Sequence, residues 1–176
     1  PVFHIDFNGE NFMKRGTLEA KLDKWLSDHE KIYGKNLNST LFGDRFIDLL
    51  KAARQKTGKR SVVLIDEYDK PLLQSISNEA LQDDYRRTLK AFYSVLKSED
   101  RYLRFVFITG VTKFSQVSVF SDLNQLNDIS LKPSYATLCG ITERELQETF
   151  SQEIVSLAES NDLHVDQVMS TLKQRY

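Results

Sequence analysis

Val62-Val63-Leu64-Ile65-Asp66-Glu67-Tyr68-Asp69-Lys70-Pro71 is the stretch whose reading decides the fold. Four branched apolar residues in succession leave none to face water by alternation, so both faces of the segment are expected to be buried. A central strand of a parallel sheet, covered by helices, reads this way. Burying each such side chain is worth about 1.5–3 kcal/mol, which commits the run to the interior. The run then stops in two carboxylates, Asp66 and Glu67. In open α/β sheets ligands sit beyond the carboxyl ends of the strands, so this pair marks the expected position of the chemistry.

The whole chain bounds what surrounds that strand. Its 176 residues suit one domain of ordinary size with room for a core, and 40% hydrophobic with 28% charged residues is a globular composition. A net charge of −1 argues against a protein that coats nucleic acid or a membrane surface, although a local basic patch stays open. The single cysteine, Cys139, excludes an internal disulfide framework and fits a reducing compartment, so a cytoplasmic location is expected. No apolar run approaches the roughly 18 residues of a membrane span, and no signal peptide is visible. The chain opens at Pro1 directly in a strand-like segment, and we read it as a fragment of a longer protein.

Working outward, Val2 to Phe7 is a strand stopped by Asn8-Gly9. Leu18, Leu22, Trp25, Leu26, His29 and Tyr33 mark one face of a helix opened near Thr17 and closed by Gly34. A second helix turns Phe42, Phe46, Leu49, Leu50 and Ala53 inward and ends at Gly58. Beyond the 62–66 strand, Asp69 is expected to cap a short helix that Pro71 helps start. A longer helix follows, with Leu81, Tyr85, Leu89, Phe92 and Leu96 at helical spacing. Arg104 to Gly110 reads as a second fully buried strand, ending in the polar residues Thr109, Thr112 and Lys113. Phe114 to Asn127 has no clear period and is expected to be a loop with short helical turns, and Asp128 to Leu131 a last short strand halted by Pro133. Thr142-x-x-Glu145 is a capping box, followed by Leu146, Phe150, Ile154 and Leu157. Asn161-Asp162 interrupts that helix, and Val165, Val168 and Leu172 begin another. The order implies an α/β fold with a parallel sheet over residues 1–140 and a helical segment over 141–176.

An apolar strand ending in Asp-Glu is the Walker B pattern of P-loop nucleotide hydrolases. Magnesium carried by ATP keeps most of its waters and wants a rigid carboxylate nearby, which Asp66 would supply. Successive strand residues face opposite ways, so Glu67 is expected to point elsewhere and to polarise the attacking water, a general-base contribution of about 10²–10⁴ in rate. Thr109, with Thr112 or Lys113 as substitutes, would orient the γ-phosphate. The plainer reading of Asp66-Glu67, a helix N-cap beside a solvated charge, stays open on pattern alone. Lys70 is expected to face solvent, and Asp6, ending the first strand, to form a turn, with membership of an acidic cluster at the same sheet edge as the alternative. A nuclease-type metal site fails because Tyr68 stands where an acid two residues before Lys70 is required. His4, His29 and His164 share no metal spacing, and Cys139 has no nearby His. His29 is expected to be a satisfied, partly buried histidine. Lys59-Arg60 and Arg86-Arg87 are surface charges, too few for a nucleic-acid groove.

A phosphate cradle, Gly-x4-Gly-Lys-Ser/Thr, is absent from the 176 residues. Gly58-Lys59 comes nearest, but Ala53 replaces the first Gly, Arg60 replaces the hydroxyl, and the segment precedes a strand instead of following one. The nest of backbone N–H groups that grips the β-phosphate cannot be built from it, so this chain alone is expected to bind ATP weakly or not at all.

Val63-Leu64-Ile65-Asp66-Glu67-Tyr68-Asp69-Lys70-Pro71, Phe107-Ile108-Thr109-Gly110-Val111-Thr112-Lys113-Phe114-Ser115 and Val119-Phe120-Ser121-Asp122-Leu123-Asn124 together resemble the bacterial AAA-ATPase-like family. Phe3 to Phe7 and Gly140 to Leu146 carry the likeness to both ends of the chain. Members of that family carry a P-loop upstream, and many carry a PD-(D/E)XK nuclease-like domain downstream. The resemblance implies a P-loop NTPase fold with residues 141–176 as part of a helical lid, and a parent that hydrolyses ATP with Mg²⁺. It implies Asp66 as the magnesium acid, Glu67 as the catalytic glutamate and Thr109 as the sensor, and it places Lys113 in the nucleotide-binding block. Partners implied are the upstream P-loop segment and the downstream domain of the same protein; nucleic acid enters only through the nuclease fusion. In this ATPase class the P-loop strand lies between the strands expected at 105–109 and 129–131. Without it those strands must close up, splay or accept a neighbour's strand, so a homo-oligomer or a rearranged sheet is expected. A regulatory or scaffold module that keeps the fold without hydrolysis is the alternative.

Overall fold

The computed structural model describes residues 1–111, 126–138 and 140–175. They form two units, Pro1–Leu126 and Asn127–Tyr176. In the first, the chain runs β1 (Val2–Asp6), α1 (Thr17–Tyr33), α2 (Phe42–Thr57), β2 (Ser61–Asp66), α3 (Lys70–Gln74), α4 (Glu79–Ser98) and β3 (Leu103–Ile108). The strands lie in the order β1-β2-β3 and both pairings are parallel, so the fold is α/β with β2 central.

Register explains which side chains are inside. Residues paired across a parallel ladder share a face, and Phe3/Val63/Val106 and Ile5/Ile65/Ile108 form one face. Phe3, Ile5, Val63 and Ile65 are buried in a single core with Leu22, Trp25 and Leu26 of α1, Phe46 and Leu50 of α2, and Leu89 and Phe92 of α4. Their spacing in the sequence is the helical stripe, and the aromatic members interlock. Trp25 meets Phe46 edge-on at 5.4 Å, Phe46 stacks on Phe92 at 4.9 Å, and the Trp25 indole N–H donates to the His4 carbonyl at 2.6 Å. His29 sits half-buried beside them with Nδ1 2.9 Å from the Trp25 carbonyl, satisfied as its place on the Trp25 face suggests. The helix end at Gly58 needs a left-handed residue, φ +67°, and its N–H returns to the Arg54 carbonyl at 2.9 Å. A buried charge cluster ties α1 to α2: Arg45 donates to both oxygens of Glu30, at 2.8 and 3.0 Å, and to Asp23 at 2.6 Å.

The expectation that β2 and β3 are buried on both faces is overturned. Val62, Leu64 and Phe107 are only half-buried and Phe105 is 54% exposed, its ring stacked on Phe107. The apolar stripes of α1, α2 and α4 all join the core on the inner face, so apolar composition on the other face does not translate into burial.

The strand expected at 128–131 does not form either. The Asp128 carboxylate accepts the Ser130 N–H at 3.0 Å and Lys132 N–H reaches the Ile129 carbonyl at 3.1 Å, which makes a turn. Pro133 then opens a single 3-10 turn, Pro133–Tyr135. The sheet among the described residues therefore has three strands, and four α-helices accompany it in the first unit.

The second unit carries α5 (Glu143–Thr149), α6 (Ser151–Ser160) and α7 (Val165–Arg175) around Ile154, Ala158 and Val168. The Thr142 capping box is formed from both sides, with Glu145 N–H on the Thr142 hydroxyl and Thr142 N–H on the Glu145 carboxylate. Phe150 interrupts the helix expected to run through it and lies partly exposed, as does Leu157. No helix of the described residues is long and apolar enough to cross a membrane. The expected loop from Phe114 to Asn127 falls largely outside the described residues.

Candidate functional site

Parallel strands in register end together, and here that gathers polar residues at one edge. Asp6 pairs with Asp66, and Thr109 stands one residue beyond Ile108, the partner of Ile65. Main-chain bonds fix the three tips: Phe7 N–H donates to the Asp66 carbonyl at 3.1 Å and Thr109 N–H to the Ile65 carbonyl at 2.8 Å. The Thr109 hydroxyl donates to Oδ1 of Asp66. The site residues read from the sequence on β2 and β3 thus meet, on a sheet that is parallel throughout.

Glu67 does not continue the pleat. Its φ is +54°, the left-handed region that L side chains other than Asn and Asp rarely adopt. Strand alternation therefore does not aim its carboxylate, as the sequence reading had it; a tight turn does. Tyr68 N–H donates to the Thr109 carbonyl at 3.0 Å and Lys70 N–H to the Glu67 carbonyl at 3.0 Å, closing that turn against β3.

Asp69 stands at the N-cap of α3 as expected, its carbonyl accepting the Leu72 and Leu73 N–H groups at 3.0 and 2.9 Å, but its side chain makes no capping bond. That side chain is 0% exposed and packed inward beside Tyr68. Beneath the turn the Tyr93 hydroxyl donates to the Tyr68 carbonyl at 3.4 Å. Burial pushes that hydroxyl well above the ordinary tyrosine range, with the nearby Asp69 charge adding to the effect, so Tyr93 stays a neutral donor. Lys70 is half-buried as a residue, but its ammonium lies at an exposed position, in keeping with the solvent-facing charge expected, and donates to Oδ1 of Asn8. Asp6 does form a turn: its Oδ1 accepts the Asn8 N–H at 2.7 Å. Asn8 thereby joins the tip of β1 to the start of α3. Lys113, Thr112 and Ser115, and likewise Cys139, lie outside the described residues.

Gly110 went unnoticed in the sequence as anything but part of a block. A Cβ built on it would stand 2.5 Å from two ring carbons of Tyr68 and 2.7 Å from Oδ1 of Asp69. The signal available was a glycine two residues past the end of a strand, a place where another chain segment approaches closely.

Among the described residues no group of three or more His, Cys, Asp or Glu is placed to hold a metal ion unaided. One rigid carboxylate with a hydroxyl beside it fits magnesium, which arrives with its own waters and phosphate oxygens, and does not fit a metal caged by protein alone. The sequence contains no Gly-x4-Gly-Lys-Ser/Thr motif.

An α/β domain with a parallel sheet and an acidic turn at its carboxyl edge is the class that these features define. Residues 1–120 match the AAA-ATPase-like family, described as "Predicted AAA-ATPase", and the chain belongs to that family. It is 38% identical over 157 residues to an uncharacterized protein in the vnfD 5′ region of Azotobacter chroococcum mcd 1, a stretch that covers 89% of this chain and 30% of the relative. The chain thus spans about a third of the length of that relative. No solved structure matches the chain.

Proposed function

We propose that this chain carries the magnesium-binding and water-activating acids of an ATPase of the P-loop type, with the phosphate cradle in a segment outside the 176 residues. The observation that carries the reading is the Thr109 hydroxyl on the Asp66 carboxylate, at the tip of a central parallel strand. In this reading Asp66 is the Walker B acid, and magnesium held there would neutralise charge on the phosphate oxygens. Glu67, turned out of the strand, takes the proton of the attacking water. Thr109 orients the terminal phosphate from the adjacent strand, and Lys113 supplies a cation close by in sequence. Upstream and downstream segments of the same protein are its partners; a homo-oligomer and a cytoplasmic location complete the proposal.

The missing cradle favours a second reading, a module that keeps the fold and acts through protein contacts without hydrolysis. One preparation separates them: the natural polypeptide that joins these residues to its upstream segment. Hydrolysis of ATP by the wild type, abolished in Glu67→Gln with nucleotide binding kept, supports the enzyme. Absence of turnover in the wild type overturns it in favour of the module. With a net charge of −1, salt-sensitive DNA binding is not expected at physiological salt.

A further inference from the structure

We propose that Gly110 and the Tyr68 ring form a close-packed stop that sets the aim of Glu67, which makes Gly110 a positioning residue for the acid pair; the inference rests on the ATPase reading above.

Gly110 is not there for backbone freedom, since its φ lies outside the left-handed region. Space requires it. A methyl group at this position would overlap the Tyr68 ring at 2.5 Å and the Asp69 carboxylate at 2.7 Å, well inside van der Waals contact. Neither neighbour has a way out, for Tyr68 is 4% exposed and Asp69 0%. Tyr68 is further held at both backbone ends, by its N–H on the Thr109 carbonyl and by its carbonyl under the Tyr93 hydroxyl.

Glu67 lies between two clamped residues. Before it, Asp66 is bound by Thr109; after it, Tyr68 is pressed against Gly110. Its left-handed backbone is unfavourable for glutamate, and such conformations persist only where the surroundings over-determine them. Pushing Tyr68 away from β3 therefore releases the turn and redirects the Glu67 carboxylate, while Asp66 keeps its place in the ladder. Gly43 offers the contrast. A Cβ there meets the Ala91 carbonyl at 3.5 Å and Val95 at 3.7 Å, ordinary contacts that involve no residue of the turn.

The test uses two readouts. In the natural polypeptide that includes the upstream segment, Gly110→Ala is expected to lower kcat for ATP by about 10–100-fold, the scale of a misplacement near 1 Å, with KM unchanged. In the same polypeptide, amide hydrogen exchange at Tyr68 should accelerate in Gly110→Ala while amides in the core of α1 and α2 keep their protection. Gly43→Ala should alter neither. Tyr68→Leu, which withdraws the ring without adding a clash, should reproduce both effects and serves if Gly110→Ala fails to fold. Unchanged kcat, or a rise in KM at constant kcat, in both variants overturns the proposal. So does unchanged exchange at Tyr68 (at position 68 in the leucine variant). Should the wild type show no turnover, the ATPase reading fails by itself, and exchange alone then decides whether the stop exists.

Discussion

Replacing Arg45 by Met keeps the aliphatic stem and removes the charge from the cluster that joins α1 to α2. Arg45 and Glu30 are each 6% exposed, and the guanidinium makes a paired contact with Glu30, at 2.8 and 3.0 Å, plus a 3.1 Å bond to the Ser27 hydroxyl. The Glu30 bond, ahead of the opposing cost of burial, holds Arg45 protonated even more firmly than usual. In Arg45→Met the Glu30 carboxylate stays buried with Lys35 as its remaining cation, 3.7 Å away and about half exposed. Breaking a buried pair from one side costs about 3–5 kcal/mol, and Lys35 pulls the expectation to the low end, about 3 kcal/mol. For a chain of this size that corresponds to a fall in Tm of roughly 6–12 °C. Trp25 is the single tryptophan and packs on Phe46 of α2 at 5.4 Å, so its fluorescence in urea reads this unit directly. Glu30→Met in the same background should recover much of the loss, since the cost lies in the stranded carboxylate. A loss in Arg45→Met below about 1 kcal/mol is what an exposed ion pair gives, and would refute the reasoning. A double variant no better than the single one would refute it too.

Thr109→Val exchanges the hydroxyl on Asp66 for a methyl of the same shape and is expected to cost about 1–2 kcal/mol, below the full value of a bond to a charged group because the site is half-buried; an unshifted urea midpoint would contradict the bond. Gly43→Ala, with room for its methyl, should stabilise α2 by up to about 0.5–1 kcal/mol, read from the same denaturation curves, and any loss would count against the packing described. The Thr142 N–H, and then its hydroxyl, hold the Glu145 carboxyl below the usual glutamate range. Folded Glu145 therefore ionises at lower pH than unfolded Glu145, so its contribution to α5 is complete above the ordinary glutamate range and is lost as pH falls through the depressed value. Carboxyl-carbon NMR shifts followed through acid titration should show Glu145 titrating below the usual glutamate range, with the Glu145 amide losing protection in step.

Much of the architecture was legible because single residues settle it locally. Gly34 and Gly58 stop α1 and α2 where the apolar stripes end, and the Thr142–Glu145 pair marks the start of α5. Val62 to Ile65 told strand from helix, but not how many faces are covered, because burial depends on which side neighbouring helices choose. Asp128 to Leu131 looked like a strand by composition, yet one Asx turn was enough to spend its N–H groups locally. At the site, the meeting of Asp66 with Thr109 followed from parallel strands ending together. The aim of Glu67, the inward turn of Asp69 and the tether from Lys70 to Asn8 did not follow, since each depends on a turn whose dihedral angles no residue type announces.

In the proposed ATPase, the left-handed glutamate separates what folding wants from what chemistry wants at one codon. A library randomised at position 67 and sorted only for well-folded protein should enrich Gly and Asn, which adopt φ near +54° with less penalty than Glu. Sorted for turnover, the same library should return the acid. The gap between those two enrichment profiles would measure, in sequence counts alone, how far this chain has traded backbone comfort for a carboxylate in the right place.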